Sequence, residues 1–235
     1  DGIRDSSVTG VQTCALPIFY RDTKRPDLAM RDFLEAVRLA PKAETFNSIG
    51  KLYFDQGNAR EAILYYDQGI AKRGTIGELY INRGSAHGML GELEKALADQ
   101  TRGIEMIPVD GRGLPGSKDR KALLNGYLNR SLTLLNLRRY EESLKDHERY
   151  LELDPYRADM WYEKGLLLNL LGRHAQALAA LDEAIRLNVG EANVHVERAR
   201  ANVKTGNKAA AEQDLAAAAR RGIQVTPAMR KDLGL

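Results

Sequence analysis

The chain has 235 residues, 43% of them hydrophobic, 29% charged and only 6% aromatic, a balance that supports a sizeable core built from helices more readily than from strands. Its 35 basic and 32 acidic residues leave a net charge of +3 with both signs interspersed, which excludes wholesale attraction to nucleic acid or an anionic bilayer. Charges interrupt every apolar stretch before it reaches spanning length, so no membrane insertion is expected.

At the start, Val8–Ile18 reads VTGVQTCALPI and resembles the translation of a sequencing-library adapter. DGIRD at Asp1–Asp5 resembles the flow-cell sequence upstream of it. Residues 1–18 are therefore set aside as an artefact expected to be unstructured. Cys14, the single cysteine, goes with them and says nothing of redox compartment. The native N-terminus and any targeting signal are expected to be missing, so no compartment is assigned.

Residues 19–42 read as the remainder of a truncated two-helix unit. Tyr20 falls on half of a first helix, while Ala29, Phe33, Ala36 and Pro41 mark a complete second one. Full copies follow at 43–76, 77–110, 124–157, 158–191 and 192–225. They are aligned on Gly50, Gly84 and Gly165, each preceded four residues earlier by Phe46, Tyr80 or Trp161. Gly50 and Gly84 are 34 residues apart, and a fixed period of this size is the mark of stacked repeats.

Within this frame the eighth position is small throughout: Gly50, Gly84, Ser131, Gly165 and Ala199. The twentieth carries Ala62, Ala96, Ser143, Ala177 and Ala211. Small side chains recur where two antiparallel helices cross closely. The twenty-seventh is small except at Tyr150, which implies looser or shifted packing there. Turn glycines stand at Gly57, Gly91, Gly172 and Gly206, where a helix ends in a left-handed residue, with Arg138 as the departure. Pro41, Pro108 and Pro155 stop second helices, and Gly74 stands in for proline in another copy.

Residues 111–123 interrupt the period. VDGRGLPGS has turn chemistry, whereas SKDRKALL could lengthen the next first helix with Ser117 as its N-cap. The insertion carries Arg112, Lys118, Arg120 and Lys121 and reads first as a solvated loop. Residues 226–235 read as a capping segment, with Thr226 as N-cap and Pro227 in the first turn.

These positions, agreeing in several copies over about residues 19–225, resemble the tetratricopeptide repeat (TPR) family. The resemblance implies an all-α fold, a right-handed superhelical solenoid of antiparallel helix pairs, with five full repeats and one truncated N-terminal repeat. It further implies a concave groove lined by the first helix of each pair. Carried over position by position, the groove residues are Asn47, Lys51 and Phe54, then Ile81, Ser85 and Met89, then Leu128, Leu132 and Asn136. The later copies add Tyr162, Leu166 and Asn169, then Arg200 and Lys204. The centre of that set is apolar and its end is basic, which suits an amphipathic or apolar peptide whose backbone Asn136 and Asn169 would hold.

Other candidates read as structural. Arg83, Arg130 and Arg198 at the seventh position are each followed sixteen residues later by Asp99, Asp146 and Asp214, while Ile49 faces Tyr65 and Lys164 faces Ala180. This co-occurrence points to an ion pair inside the repeat. None of the four histidines is paired at ligand spacing, and His87, His147 and His195 stand where sister copies are read as placing aromatics, so they read as structural fillers. Some family members clamp a C-terminal carboxylate, and Asn82, Arg83, Asn129 and Arg130 match part of that pattern. Asp159 and Glu163 occupy its flanking basic positions and would repel a carboxylate, so no clamp is expected.

No Gly-rich phosphate loop or Ser/His/Asp order appears, so no enzyme, metal or cofactor is expected. The leading reading is a scaffold that binds another protein or peptide. A second makes the repeats a regulatory or targeting module of a larger protein. A third, weaker one is RNA binding by the basic end at Arg200, Lys204, Lys208, Arg220 and Arg221, which lacks stacking aromatics.

Overall fold

The computed structural model describes residues 26–72, 77–110 and 113–235. The adapter-like stretch with Cys14, Tyr20 of the truncated helix, Gly74 and Arg112 all lie outside them.

Segments rich in Ala, Leu, Glu and Lys favour the helical backbone, and the regular elements among the described residues are twelve α-helices. They are α1 (Pro26–Leu39), α2 (Ala43–Asp55), α3 (Ala59–Ile70), α4 (Gly77–Met89), α5 (Leu93–Glu105) and α6 (Ser117–Asn136). There follow α7 (Tyr140–Leu153), α8 (Ala158–Leu170), α9 (His174–Arg186), α10 (Val194–Lys204), α11 (Lys208–Arg220) and α12 (Pro227–Leu233). Gly57, Gly91, Gly172 and Gly206 separate the helices of a pair with φ of 80°, 76°, 72° and 88°. Arg138 takes the same left-handed turn at φ 58°, a conformation that glycine adopts without steric cost and arginine does not.

The chain forms two compact units divided between Asn129 and Arg130. In the first, α2 packs on α3, α4 on α5, α1 on α2, and α3 on α4. Its core holds Ala29, Phe33, Ile49 and Leu52 in one cluster, and Ala43, Ala59, Ala62, Tyr66, Leu79 and Ala86 in the next. Each Leu- or Phe-sized side chain buried in this way contributes roughly 1.5–3 kcal/mol. The small eighth position has a direct cause at Gly50, where an added Cβ would sit 2.4 Å from Cε1 of the Tyr66 ring.

In the second unit α8 packs on α9, α10 on α11, α7 on α8, and α9 on α10. Leu144, Leu167, Leu168, Leu181 and Val194 join the fully buried Ala177 and Ala184 in its main cluster. Tyr150, the large residue at an otherwise small position, does not loosen this packing. It is only 4% exposed, and its hydroxyl accepts a bond from Arg157 Nη1 at 3.2 Å, just ahead of α8. The polar tip of the buried ring thus finds a partner at the start of the following helix.

Asp110 N donates to Leu114 O at 2.7 Å, and Val109 and Pro115 form an isolated antiparallel bridge. Beyond it α6 runs for 20 residues. Ser117 is its first helical residue rather than the cap ahead of it, and Gly116 O accepts from Asp119 N and Arg120 N. At the other end Thr226 accepts from Met229 N, Pro227 opens α12, and Leu233 is buried with Ala199, Ala211 and Leu215.

Candidate binding faces on the first helix of each pair

The first helices are held on their second helices by the seventh-position cations. Arg83 donates from Nε and Nη2 to Asp99, both at 2.7 Å, and Arg130 reaches Asp146 at 2.8 and 2.7 Å. Arg198 places Nε at 3.0 Å and Nη2 at 2.6 Å from Asp214 Oδ1. All three expected pairs are present, and a further set escaped the sequence reading. Arg83 Nη1 bonds Asp67 at 2.6 Å, Arg198 Nη1 bonds Asp182 at 2.6 Å, and Lys164 Nζ lies 3.4 Å from Glu148. Each of these acids precedes its cation by sixteen residues and stands on the second helix of the preceding pair. The same spacing searched in the N-terminal direction would have found them.

Successive first helices are joined to one another by amides. Asn82 Nδ2 donates to Asn47 Oδ1 at 2.8 Å, Asn129 Nδ2 to Ser85 Oγ at 2.8 Å, and Asn169 Nδ2 to Glu197 O at 2.9 Å. Residues that resembled parts of a carboxylate clamp are therefore engaged within the protein: Asn82 and Asn129 in this ladder, Arg83 and Arg130 in ion pairs. Glu163 receives His147 Nε2 at 3.1 Å, and Asp159 is held by Arg157. That guanidinium keeps the Asp159 carboxyl below its ordinary range.

In the first unit, Ile81 is fully buried and Asn47 nearly so, which places both in the contact between helices rather than on a free face. Lys51, Phe54, Ser85 and Leu128 are half-buried, and Met89 is 49% exposed. In the second unit Leu132 is 59% exposed, Asn136, Arg200 and Lys204 are exposed, and Tyr162 and Leu166 are half-buried. Asn169, expected to hold a guest's backbone, is instead buried and spends its amide on Glu197, with His174 Nδ1 against its Oδ1 at 3.2 Å. An amide at this inner edge meets the next first helix before it can meet a ligand.

Burial pushes the Tyr162 phenol up, and the nearby Glu197, Glu191 and Glu163 add to the shift. Of the basic C-terminal set, Arg200 bonds Glu197 at 3.2 Å and Arg221 donates to Val189 O at 3.2 Å. Val196 and Arg200 line a cleft together with Met229 and Leu233 of α12, so the capping helix flanks the last first-helix face. Among the described residues, no group of three or more His, Cys, Asp or Glu is placed to hold a metal ion. No described helix is long and apolar enough to cross a membrane.

The profile of the tetratricopeptide repeat family matches residues 47–109 and 128–192, more than half of the chain. The chain belongs to the tetratricopeptide repeat family. Among curated proteins, dynein axonemal assembly factor 4 of Rattus norvegicus is 29% identical over 106 residues, 45% of this chain. The match spans 24% of that protein, so the chain corresponds to about a quarter of the length of the relative. The solved structure of PilF from Pseudomonas aeruginosa superposes with a TM-score of 0.73 at 12% identity, covering 95% of each chain. That of YrrB, described as a TPR protein with an unusual peptide-binding site, gives 0.69 at 14% identity, covering 81% of this chain and 92% of its own. These likenesses establish the fold class, an all-α right-handed TPR solenoid of antiparallel helix pairs. TPR repeats are typically non-enzymatic.

Proposed function

We propose that this TPR protein is a scaffold whose first-helix faces take an apolar or amphipathic segment of another protein. The observation that supports this reading is large apolar side chains left in water on helices that otherwise bury theirs. Leu132 on α6 and Leu170 on α8 are 59% and 60% exposed in the second unit, and half-buried Tyr162 and Leu166 precede Leu170 by eight and four residues on the same helix. Met89, half-buried Phe54 and Leu128 are their counterparts in the first unit. Clustered exposed apolar groups rimmed by polar ones mark interaction sites more often than single exposed leucines do. Lys51 and Ser85 are the polar candidates of the first unit's faces, and Asn136, Arg200 and Lys204 those of the second. Asn47, Ile81 and Asn169 set the shape of the faces from within. YrrB, of the same fold, is described as having a peptide-binding site, which agrees with this assignment.

The test is affinity capture with the chain and with its Leu132→Glu, Leu166→Glu double variant, after circular dichroism has shown both folded. Loss of specific partners by the double variant supports the reading, and recovery of the same partners overturns it. The short span matched in dynein axonemal assembly factor 4 favours a second reading, in which these repeats are the partner-binding module of a longer polypeptide.

A further inference from the structure

The seventh-position cation marks a site that one copy leaves unfilled. Arg83 and Arg198 each hold two carboxylates, one from the preceding second helix and one from their own: Asp67 with Asp99, and Asp182 with Asp214. Lys164 has the first of these, Glu148 at 3.4 Å. At the place of the second stands Ala180, and among the described residues no other carboxylate is recorded within 4 Å of Lys164. An open pocket lies there. Its lining includes Glu148, Trp161, Lys164, Arg173, Ala180 and Glu183.

Lys164 Nζ sits 5.3 Å over the centre of the Trp161 ring. An ammonium has three donors, and Glu148 is the one carboxylate recorded within 4 Å of this one among the described residues. The lining carries two cations, Lys164 and Arg173, and two carboxylates, Glu148 and Glu183, and Arg186 outside the lining already holds Glu183.

We propose that this pocket takes an acidic side chain of a partner protein, its carboxylate on Lys164 and its apolar neighbour on Trp161. The guest carboxylate replaces the aspartate that the sister copies supply for themselves. The site uses none of the exposed inner leucines, so it stands or falls apart from the first-helix faces.

Trp161 is the single tryptophan of the chain, and its fluorescence reports on the pocket directly. The probes are capped tripeptides, Leu-Glu-Leu and Leu-Gln-Leu, titrated to about 20 mM, about twentyfold above a millimolar dissociation constant. The expected result is a saturable change with the glutamate peptide that weakens at high salt, and binding at least tenfold weaker for the glutamine peptide. Ala180→Asp, which restores the internal carboxylate, and Lys164→Met should each weaken glutamate-peptide binding at least tenfold while circular dichroism shows an unchanged fold. Leu132→Glu with Leu166→Glu should leave it unaltered. Equal binding of the two peptides by the wild-type chain, no saturable change with either, or full binding by folded Ala180→Asp overturns the proposal.

Discussion

Arg83 grips Asp99 through two parallel bonds of 2.7 Å and still has Nη1 free to reach Asp67 at 2.6 Å. One guanidinium thus ties α4 both to its own second helix and to that of the preceding pair. The planar fork of arginine makes the double attachment possible. Asp99 is 12% exposed and Arg83 21%, so Asp99→Asn weakens a largely buried pair and leaves Arg83 with Asp67 as its remaining carboxylate. Asp99→Asn should lower stability by about 1–3 kcal/mol, whereas Arg83→Met combined with Asp99→Leu should recover most of that loss. Urea unfolding of the single and double variants checks this, and equal losses in both would show that the charges themselves are the source of stability.

Close crossing explains which glycines tolerate a methyl group. At Gly50 the new Cβ would lie 2.4 Å from the Tyr66 ring, while at Gly88 its nearest neighbour is Ala96 Cβ at 3.9 Å. Gly50→Ala should destabilise by about 1–3 kcal/mol through overpacking. Gly88→Ala should stabilise by about 0.5–1 kcal/mol through helix propensity. Thermal melts of the two variants should therefore shift in opposite directions.

Arg138 occupies a left-handed turn with φ of 58° and is exposed. Arg138→Gly should raise stability by up to about 1 kcal/mol, because a left-handed L-residue costs roughly 1–2 kcal/mol and glycine's larger unfolded-state entropy offsets part of the gain. Gly172→Ala, at φ 72° with no nearby atoms, should lose about 1 kcal/mol from backbone strain alone. Chemical denaturation midpoints for the pair give the comparison.

The repeat frame, the turn glycines and the three arginine–aspartate pairs were legible in the sequence because each recurs at a fixed spacing. Other features escaped because they belong to contacts between copies. Asp67, Glu148 and Asp182 answer a cation in the next pair, and nothing inside one repeat announces them. Asn169 looked like a ligand contact because it falls on an inner position, yet Glu197 of the next first helix takes its amide at 2.9 Å. Tyr150 looked like a packing fault because its position is small elsewhere, and only the geometry shows Arg157 holding its hydroxyl. Position within a repeat therefore identifies the inner edge but does not say which edge residues remain free.

His195 is nearly buried, and burial, followed by Arg198 and Arg221, lowers its pKa below the usual 6.5, with Asp214 opposing. The folded state accordingly favours the neutral ring. Its contribution to stability is complete above the unfolded value of about 6.5 and declines as pH falls below it, because the unfolded chain then binds the proton more readily. Proton-detected titration should find the His195 ring titrating below 6.5 in the folded chain. A value at or above 6.5 would contradict the burial argument.

The proposed function depends above all on the exposed apolar side chains of the first helices forming a binding face. The most direct measurement selects peptides from a displayed library on the wild-type chain and compares the affinity of the best one for three proteins by calorimetry. These are the wild type, Leu132→Glu with Leu166→Glu, and Leu64→Glu, whose leucine is 60% exposed on α3, a second helix. The double variant should bind at least tenfold more weakly, about 1.4 kcal/mol, and Leu64→Glu should bind as the wild type does. Unchanged affinity in the double variant, or a loss confined to Leu64→Glu, would place the binding surface elsewhere and contradict the assignment.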